Sequence, residues 1–177
     1  GFRSINEMVG RVDCLDVDKA IDHWKAQGLD LSKLLAPIEA PDHVARYCSE
    51  QQDHRLEEAL DTRLIEMCTE ALEYKKPVAI RHSIRNINRT AGTMLSSEIS
   101  RRYGEEGLPD GTIQLTLHGS AGQSLGAFLA PGVSIFLEGD ANDYCGKGLS
   151  GGHLAVMPPR EVDFRAEDNI ILGNVAL

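Results

Sequence analysis

Apolar residues recur at two different periods along this chain, and the change comes near residue 78. Between Asp16 and Gln27 (DVDKAIDHWKAQ), Val17, Ala20, Ile21 and Trp24 fall at helical spacing, and Gly28 supplies a stop. Asp30–Leu35 predicts a further helical turn, closed by Pro37. The clearest helix is predicted from about Leu56 to Tyr74, with Asp53 as its cap and Pro77 as its end. Leu56, Leu60, Leu64, Met67, Cys68, Ala71 and Leu72 form one stripe, and Glu57, Glu58, Glu66, Glu70 and Glu73 lie largely off it. A stripe of this kind is a packing face.

From Val78 the period drops to two. Val78 and Ile80 alternate with small or polar neighbours, as strand residues do. Ser96–Tyr103 (SSEISRRY) predicts one short helix with Ser96 as its cap. Beyond it the chain is strand-like and rich in glycine.

That glycine-rich part repeats. Ile113–Gly132 (IQLTLHGSAGQSLGAFLAPG) lies over Val133–Gly152 (VSIFLEGDANDYCGKGLSGG) without a gap. Leu117 meets Leu137, Gly119 meets Gly139, Ala121 meets Ala141, Gly126 meets Gly146, Leu129 meets Leu149 and Gly132 meets Gly152. A period near twenty residues marks a stack of coils. Each coil opens on a strand with Ile113, Leu115 and Leu117 on one face and Gln114, Thr116 and His118 on the other. The expectation is therefore a mainly β fold: a parallel β-helix over 78–177, preceded by a helical N-terminal segment. Leu117 should sit over Leu137. Gly119, Gly126, Gly132, Gly139, Gly146, Gly148, Gly151 and Gly152 are assigned to corners and close backbone contacts. Three zones result: 1–50 as linker and short helices, 51–77 as a helix packed on the solenoid, and 78–177 as the solenoid. The last coil stops at Leu177, and the stack is read as incomplete there. Gly1 in place of Met reads as a start within a longer chain.

The glycines of GKGLSGG raise a second reading. Gly146, Gly148 and Gly151 match GxGxxG, but a dinucleotide loop must lead into a helix, and HLAVMPP reads as strand and then proline. The phosphate-loop pattern GxxxxGK[ST] also fails, because Gly148 follows Lys147. Corner glycines are the better account.

Composition and charge narrow the function classes. The chain has 177 residues and a net charge of −9, which argues against nucleic acid and anionic membrane as partners. No apolar run reaches membrane-spanning length. Cys14, Cys48, Cys68 and Cys145 match no metal or iron–sulfur spacing and read as reduced thiols. His23, His43, His54, His82, His118 and His153 show no ligand spacing. His118 and Glu138 are repeat partners, which predicts a surface ladder pair. Asp140, Asn142 and Asp143 resemble calcium ligands in type but lack the EF-hand pattern, and read as an acidic outer turn. No catalytic, cofactor or metal residue is assigned. One basic zone stands out: Arg81, His82, Arg85, Arg89, Arg101 and Arg102. It either pairs with the acidic first half or docks another domain, and Arg85, Asn88 and Arg89 are the candidate docking residues.

Two long strings carry a resemblance: IRNINRTAGTMLSSEISRRYGEEGLPDGTI and GSAGQSLGAFLAPGVSIFLEGDANDYCGKGLSGG. With the opening GFRSINEMVGRVDCL and the stretch from Glu167 to Leu177, they resemble the C-terminal GXGXG domain of the glutamate synthase large subunit. The resemblance is weakest over 15–50. It implies a right-handed parallel β-helix without catalytic residues, packed among the other domains of its parent. The parent, by the same resemblance, converts glutamine and 2-oxoglutarate to two glutamates. It does so with a glutaminase domain, an FMN-binding barrel and a 3Fe–4S cluster, in the cytoplasm or, in plants, the plastid. This chain would hold neither cofactor itself. Its implied partners are those other domains, with self-association through an open sheet edge as a further expectation. Two alternatives are kept open: the GXGXG-containing subunit of another enzyme, such as formylmethanofuran dehydrogenase, and a free-standing carbohydrate-active β-helix enzyme. The GFRSINEMVGR opening favours glutamate synthase over the first, and the absence of several acids or bases on one groove weighs against the second.

Overall fold

The predicted alternation becomes four strands: β1 (Val78–Ile84), β2 (Ile113–Ala121), β3 (Val133–Ala141) and β4 (His153–Met157). In the computed structural model, which describes residues 1–18 and 22–176, they form one sheet in the order β1-β2-β3-β4. Every pairing is parallel. Leu117 pairs with Leu137, Gly119 with Gly139 and Ala121 with Ala141, the register expected from the twenty-residue repeat. Ile113, Leu115, Leu117, Val133, Ile135 and Leu137 are all buried. Each such side chain gains about 1.5–3 kcal/mol from burial, and a one-residue slip would turn all of them outward, so the register is strongly held.

The segments that return the chain between strands also stack. Gly126 donates its N–H to Ala91 O, Gly146 to Leu125 O, and Ser150 to Leu129 O. Ser124 and Tyr144 donate in the same way to Asp143 O and Asn174 O. These are single bonds between turns, not strand ladders.

The expected mainly β, right-handed β-helix is therefore corrected. Helix accounts for 27% of the structure and strand for 18%, and the four-stranded sheet does not close on itself, so the fold is α/β. The physical reason lies in how each repeat is spent. One strand comes from each copy, and the rest of the repeat goes into turns rich in positive-φ residues that cannot extend into a second sheet. The connection from β1 to β2 is spent on a helix, and apolar side chains of three helices join the sheet in one core.

Those helices are α2 (Leu60–Met67), α3 (Thr69–Tyr74) and α4 (Thr93–Tyr103), α1 being the short Ile5–Met8. The single helix expected over Leu56–Tyr74 is broken. A 3₁₀ turn, Leu56–Glu58, precedes α2, and Cys68, at φ −92° and ψ 9°, separates α2 from α3. The N-cap of α2 is Ala59, not Asp53. Leu60, Leu64, Cys68, Ala71 and Leu72 of the predicted stripe are buried, while Leu56 and Met67 are exposed. Lys75, in the left-handed region, ends α3 just before the Lys76–Pro77 step that disfavours further helix.

Helix α4 starts three residues earlier than expected, and Ser96 is not its cap. Gly92 holds the N-cap position without a side chain to offer. The missing acceptor comes from α2: Asp61 accepts the N–H groups of Gly92 and Met94, both at 2.7 Å, and of Leu95 at 3.3 Å. Ser96 is instead buried inside the helix, donating to Gly92 O at 2.7 Å and accepting from Ala130 N at 3.1 Å.

The chain divides into two units, Gly1–His54 and Arg55–Leu177. The second holds the sheet and the core. The first contains α1 and the 3₁₀ turns Val12–Cys14 and Trp24–Ala26, and none of its described residues is buried. Of the helix expected over Asp16–Gln27, positions Lys19, Ala20 and Ile21 lie outside the described residues.

Candidate docking surface

Strand β1 ends at Ile84 and leads into the loop Arg85-Asn86-Ile87-Asn88-Arg89, and Ile84 fixes the position of the rest. Ile84 is buried in the core and pairs with Gly119 of β2. Gly119 has φ +124°, and a Cβ there would overlap Ile84 O. The backbones can approach only because position 119 carries no side chain. Gly122 plays the same part against the loop, since a Cβ there would come within 2.5 Å of Asn86 O and 2.7 Å of Asn88 O.

The loop beyond Ile84 is tied down at several points. The Asn88 side chain accepts the Arg85 N–H at 2.9 Å, and the Asn88 N–H donates to Arg85 O at 2.8 Å. Gly122 N–H donates to Asn88 O, and Thr90 N–H to Gln123 O. The Arg89 guanidinium donates to the Gln123 side chain. The Asn142 amide donates to the Asn86 side chain. Those backbone and amide groups are engaged within the fold, and what faces solvent is Ile87, 73% exposed, between Arg85 and Arg89.

The basic zone seen in the sequence divides. Arg102 is paired with Glu73 of α3 and lies 3.6 Å from Glu98, and Arg101 lies 3.2 Å from Glu98. These two act within the fold. His82 is half-buried in the column that contains Leu117, with Nδ1 2.6 Å from Ser83 O. Arg81 and Arg85 have no side-chain hydrogen bond or ion pair among the described residues. Of the three docking candidates, then, Asn88 shapes the loop, Arg89 is anchored at one end, and the Arg85 guanidinium has no partner among the described residues.

The remaining sequence candidates are placed as follows. His118 Nδ1 lies 3.3 Å from Glu138 Oε2, the expected ladder pair, and Glu138 also accepts the Arg160 N–H at 3.1 Å. Asp140 accepts from Ser120 Oγ at 2.7 Å, and Asp143 from Asn174 N at 2.8 Å, so these carboxylates serve turn geometry. Among the described residues no group of three His, Cys, Asp or Glu side chains is disposed to hold a metal ion. Strand β4 follows GKGLSGG, so no helix N-terminus stands behind those glycines. Several of the remaining glycines sit at close contacts: a Cβ at Gly132 would meet Leu108, at Gly126 Leu154, at Gly148 Phe128, at Gly151 Pro131 and at Gly152 Leu129.

The sequence reading missed Asp61. It lies on the apolar face of α2, since 61, 64, 68 and 72 follow helical spacing, and a lone acid on that face was the available signal. Burial pushes its carboxyl above the usual range, against the pull of the Gly92, Leu95 and Met94 N–H groups. Burial, with a smaller effect from the Asp61 charge, pushes the Cys68 thiol up to about 12.

Comparison with known proteins matches residues 61–177 to the family described as GXGXG motif. The chain is 52% identical to Glutamate synthase [NADH] of Schizosaccharomyces pombe, over all of this chain and 8% of that protein. It is 48% identical to Glutamate synthase [NADPH] large chain of Bacillus subtilis, over 99% of this chain and 11% of that protein. It is 37% identical to the chloroplastic ferredoxin-dependent glutamate synthase of Spinacia oleracea, over all of this chain and 11% of that protein. The chain spans about a tenth of the length of these relatives.

Proposed function

The chain belongs to the GXGXG-motif family, and from that membership we propose that it is a non-catalytic structural domain of a glutamate synthase large chain. In this reading it braces the glutaminase and FMN-binding synthase domains of a parent that converts glutamine and 2-oxoglutarate to two glutamates. The observation that carries the reading is the extent of similarity: nearly every residue aligns, and always with the same small share of a much longer chain. The relatives described above are glutamate synthases, which removes the grounds for the formylmethanofuran dehydrogenase and carbohydrate-enzyme alternatives.

FMN and the 3Fe–4S cluster belong, in this proposal, to other parts of the parent. The disposition of the thiols supports this: Cys14 and Cys48 are exposed, Cys68 and Cys145 are buried, and burial raises both buried thiols away from the thiolate that a cluster needs. The relatives' names specify NADH, NADPH or ferredoxin, so the domain is compatible with each electron donor. Cytoplasm or plastid is the proposed location, the spinach relative being named chloroplastic. Among the described residues no helix is long and apolar enough to cross a membrane. In this proposal self-association uses the outer edge of β4, one of the two edge strands of the sheet, because an open edge offers backbone groups to another strand.

The test is a comparison of the 177-residue chain with the full parent. The chain alone should form no glutamate from glutamine and 2-oxoglutarate and should carry no flavin colour. In the parent, Arg85→Glu with Arg89→Glu should lower the glutamate formed per glutamine hydrolysed while each partial reaction persists. Glutamate formation by the isolated chain would overturn the reading.

A further inference from the structure

Resting on that reading, we propose that Ile84–Arg89 is a preformed plug, and that its occupant is an apolar socket rimmed with carboxylates on another domain of the same parent chain. Ile87 is the anchor, and the guanidinium groups of Arg85 and Arg89 engage the rim.

Three observations converge on this loop. The first is rigidity. The loop is fixed by the Asn88 turn, by Gly122 and Thr90 from the backbone, and by Gln123 and Asn142 from side chains. A segment already held in one shape loses little freedom on docking, so more of its contact energy survives as affinity. The second is what that rigidity presents. A fold that spends this many bonds on a loop still leaves Ile87 exposed at its tip. A single apolar side chain on a rigid tip, entering a desolvated pocket, is the usual form of an interface anchor.

The third is charge. From Tyr74 to Ser97 the chain has no carboxylate and five lysines or arginines, in a protein of net charge −9. The neighbouring cations Arg101 and Arg102 are consumed by Glu98 and Glu73. Arg85 is not consumed, and Arg89 spends one arm on Gln123 and retains donors on the others. A planar guanidinium with free donors fits a carboxylate bidentately, which a flexible lysine does not do as well. The partner chemistry is thus an apolar pocket with acidic edges. The relatives are about ten times longer than this chain, so the remainder of the parent offers the surface.

The experiment uses the full-length parent with Ile87→Cys, labelled by a thiol reagent under native conditions and read by mass spectrometry on the peptide containing position 87. Exposure of Ile87 in the domain itself means that slow labelling reports cover by another domain. Labelling at least about tenfold slower than a free peptide thiol is expected, equivalent to about 1.4 kcal/mol of protection. Adding Arg85→Glu and Arg89→Glu should restore fast labelling. Fast labelling in the single variant overturns the plug, and slow labelling unmoved by the charge reversals overturns the acidic rim. The native length of the chain separates the two levels of failure. If the native protein is found free of glutaminase and synthase domains, the glutamate synthase reading falls and the plug with it. If it is found at full length and position 87 labels fast, the plug alone falls.

Discussion

The carboxylate of Asp61 accepts the backbone N–H of Gly92 at 2.7 Å, across 31 residues of sequence. By accepting from the N–H groups of Met94 and Leu95 as well, it supplies the N-terminal acceptor that α4 lacks locally, and it couples α2 to α4 inside the core. Asp61→Ala leaves buried N–H groups without an acceptor. The expected loss is about 3 kcal/mol in chemical denaturation, from a missing cap and unsatisfied donors. A loss below about 1 kcal/mol would mean that water replaces the carboxylate there.

The same residue carries a pH signature. Its folded pKa is raised by burial, so the native state holds the proton to higher pH than the unfolded chain does. Its stabilising contribution is full below the unfolded value, about 3.9, and is lost as pH rises through the folded one. The stability of the natural chain minus that of Asp61→Asn should therefore shrink as pH is raised above about 4. Denaturation curves of both proteins across that range check the sign.

Gly139 tests close approach of backbones. A Cβ at Gly139 would overlap Gly119 O, with φ at +151°. Gly139→Ala should cost about 3 kcal/mol and loosen the pairing of β2 with β3, seen as faster amide exchange there. Gly111 is the control. It has φ +72°, but its nearest neighbour would be the Gln114 amide at 3.7 Å, so Gly111→Ala should cost about 1 kcal/mol.

The thiols should divide into two classes. Cys14 and Cys48 are exposed, while Cys68, pushed up to about 12, and Cys145 are buried. At about pH 8, near the ordinary thiol pKa, a thiol reagent should modify Cys14 and Cys48 rapidly and reach Cys68 and Cys145 only after unfolding. Rapid native modification of Cys68 would show that α2 and α3 part readily at their break.

His118 and Glu138 meet at 3.3 Å on an outer face, with His118 about half exposed. Because His118 itself is about half open to solvent, its side of the pair contributes little, and His118→Ala should change stability by less than about 0.5 kcal/mol. Glu138→Ala should cost more, because the Arg160 N–H loses its acceptor as well. The two variants compared in one denaturation series separate the pair from the turn.

Periodicity determined which residues share a face, and that much was legible without coordinates. The twenty-residue offset put Leu137 beside Leu117 and Glu138 beside His118, and the helical spacing of Leu60, Leu64, Cys68 and Ala71 marked the buried side of 56–74. These are local regularities: a strand's faces alternate and a helix's faces recur whatever the rest of the chain does. Tertiary structure decided the rest. Asp61 displaced Ser96 as the acceptor at α4, Cys68 divided one predicted helix into two, and Arg102 found Glu73 while Arg85 found nothing among the described residues. The sheet stayed open and shared its core with helices instead of closing into a solenoid. Each of these outcomes depends on groups brought together from distant parts of the chain, and the burial that makes such contacts worth forming exists only once the chain has folded.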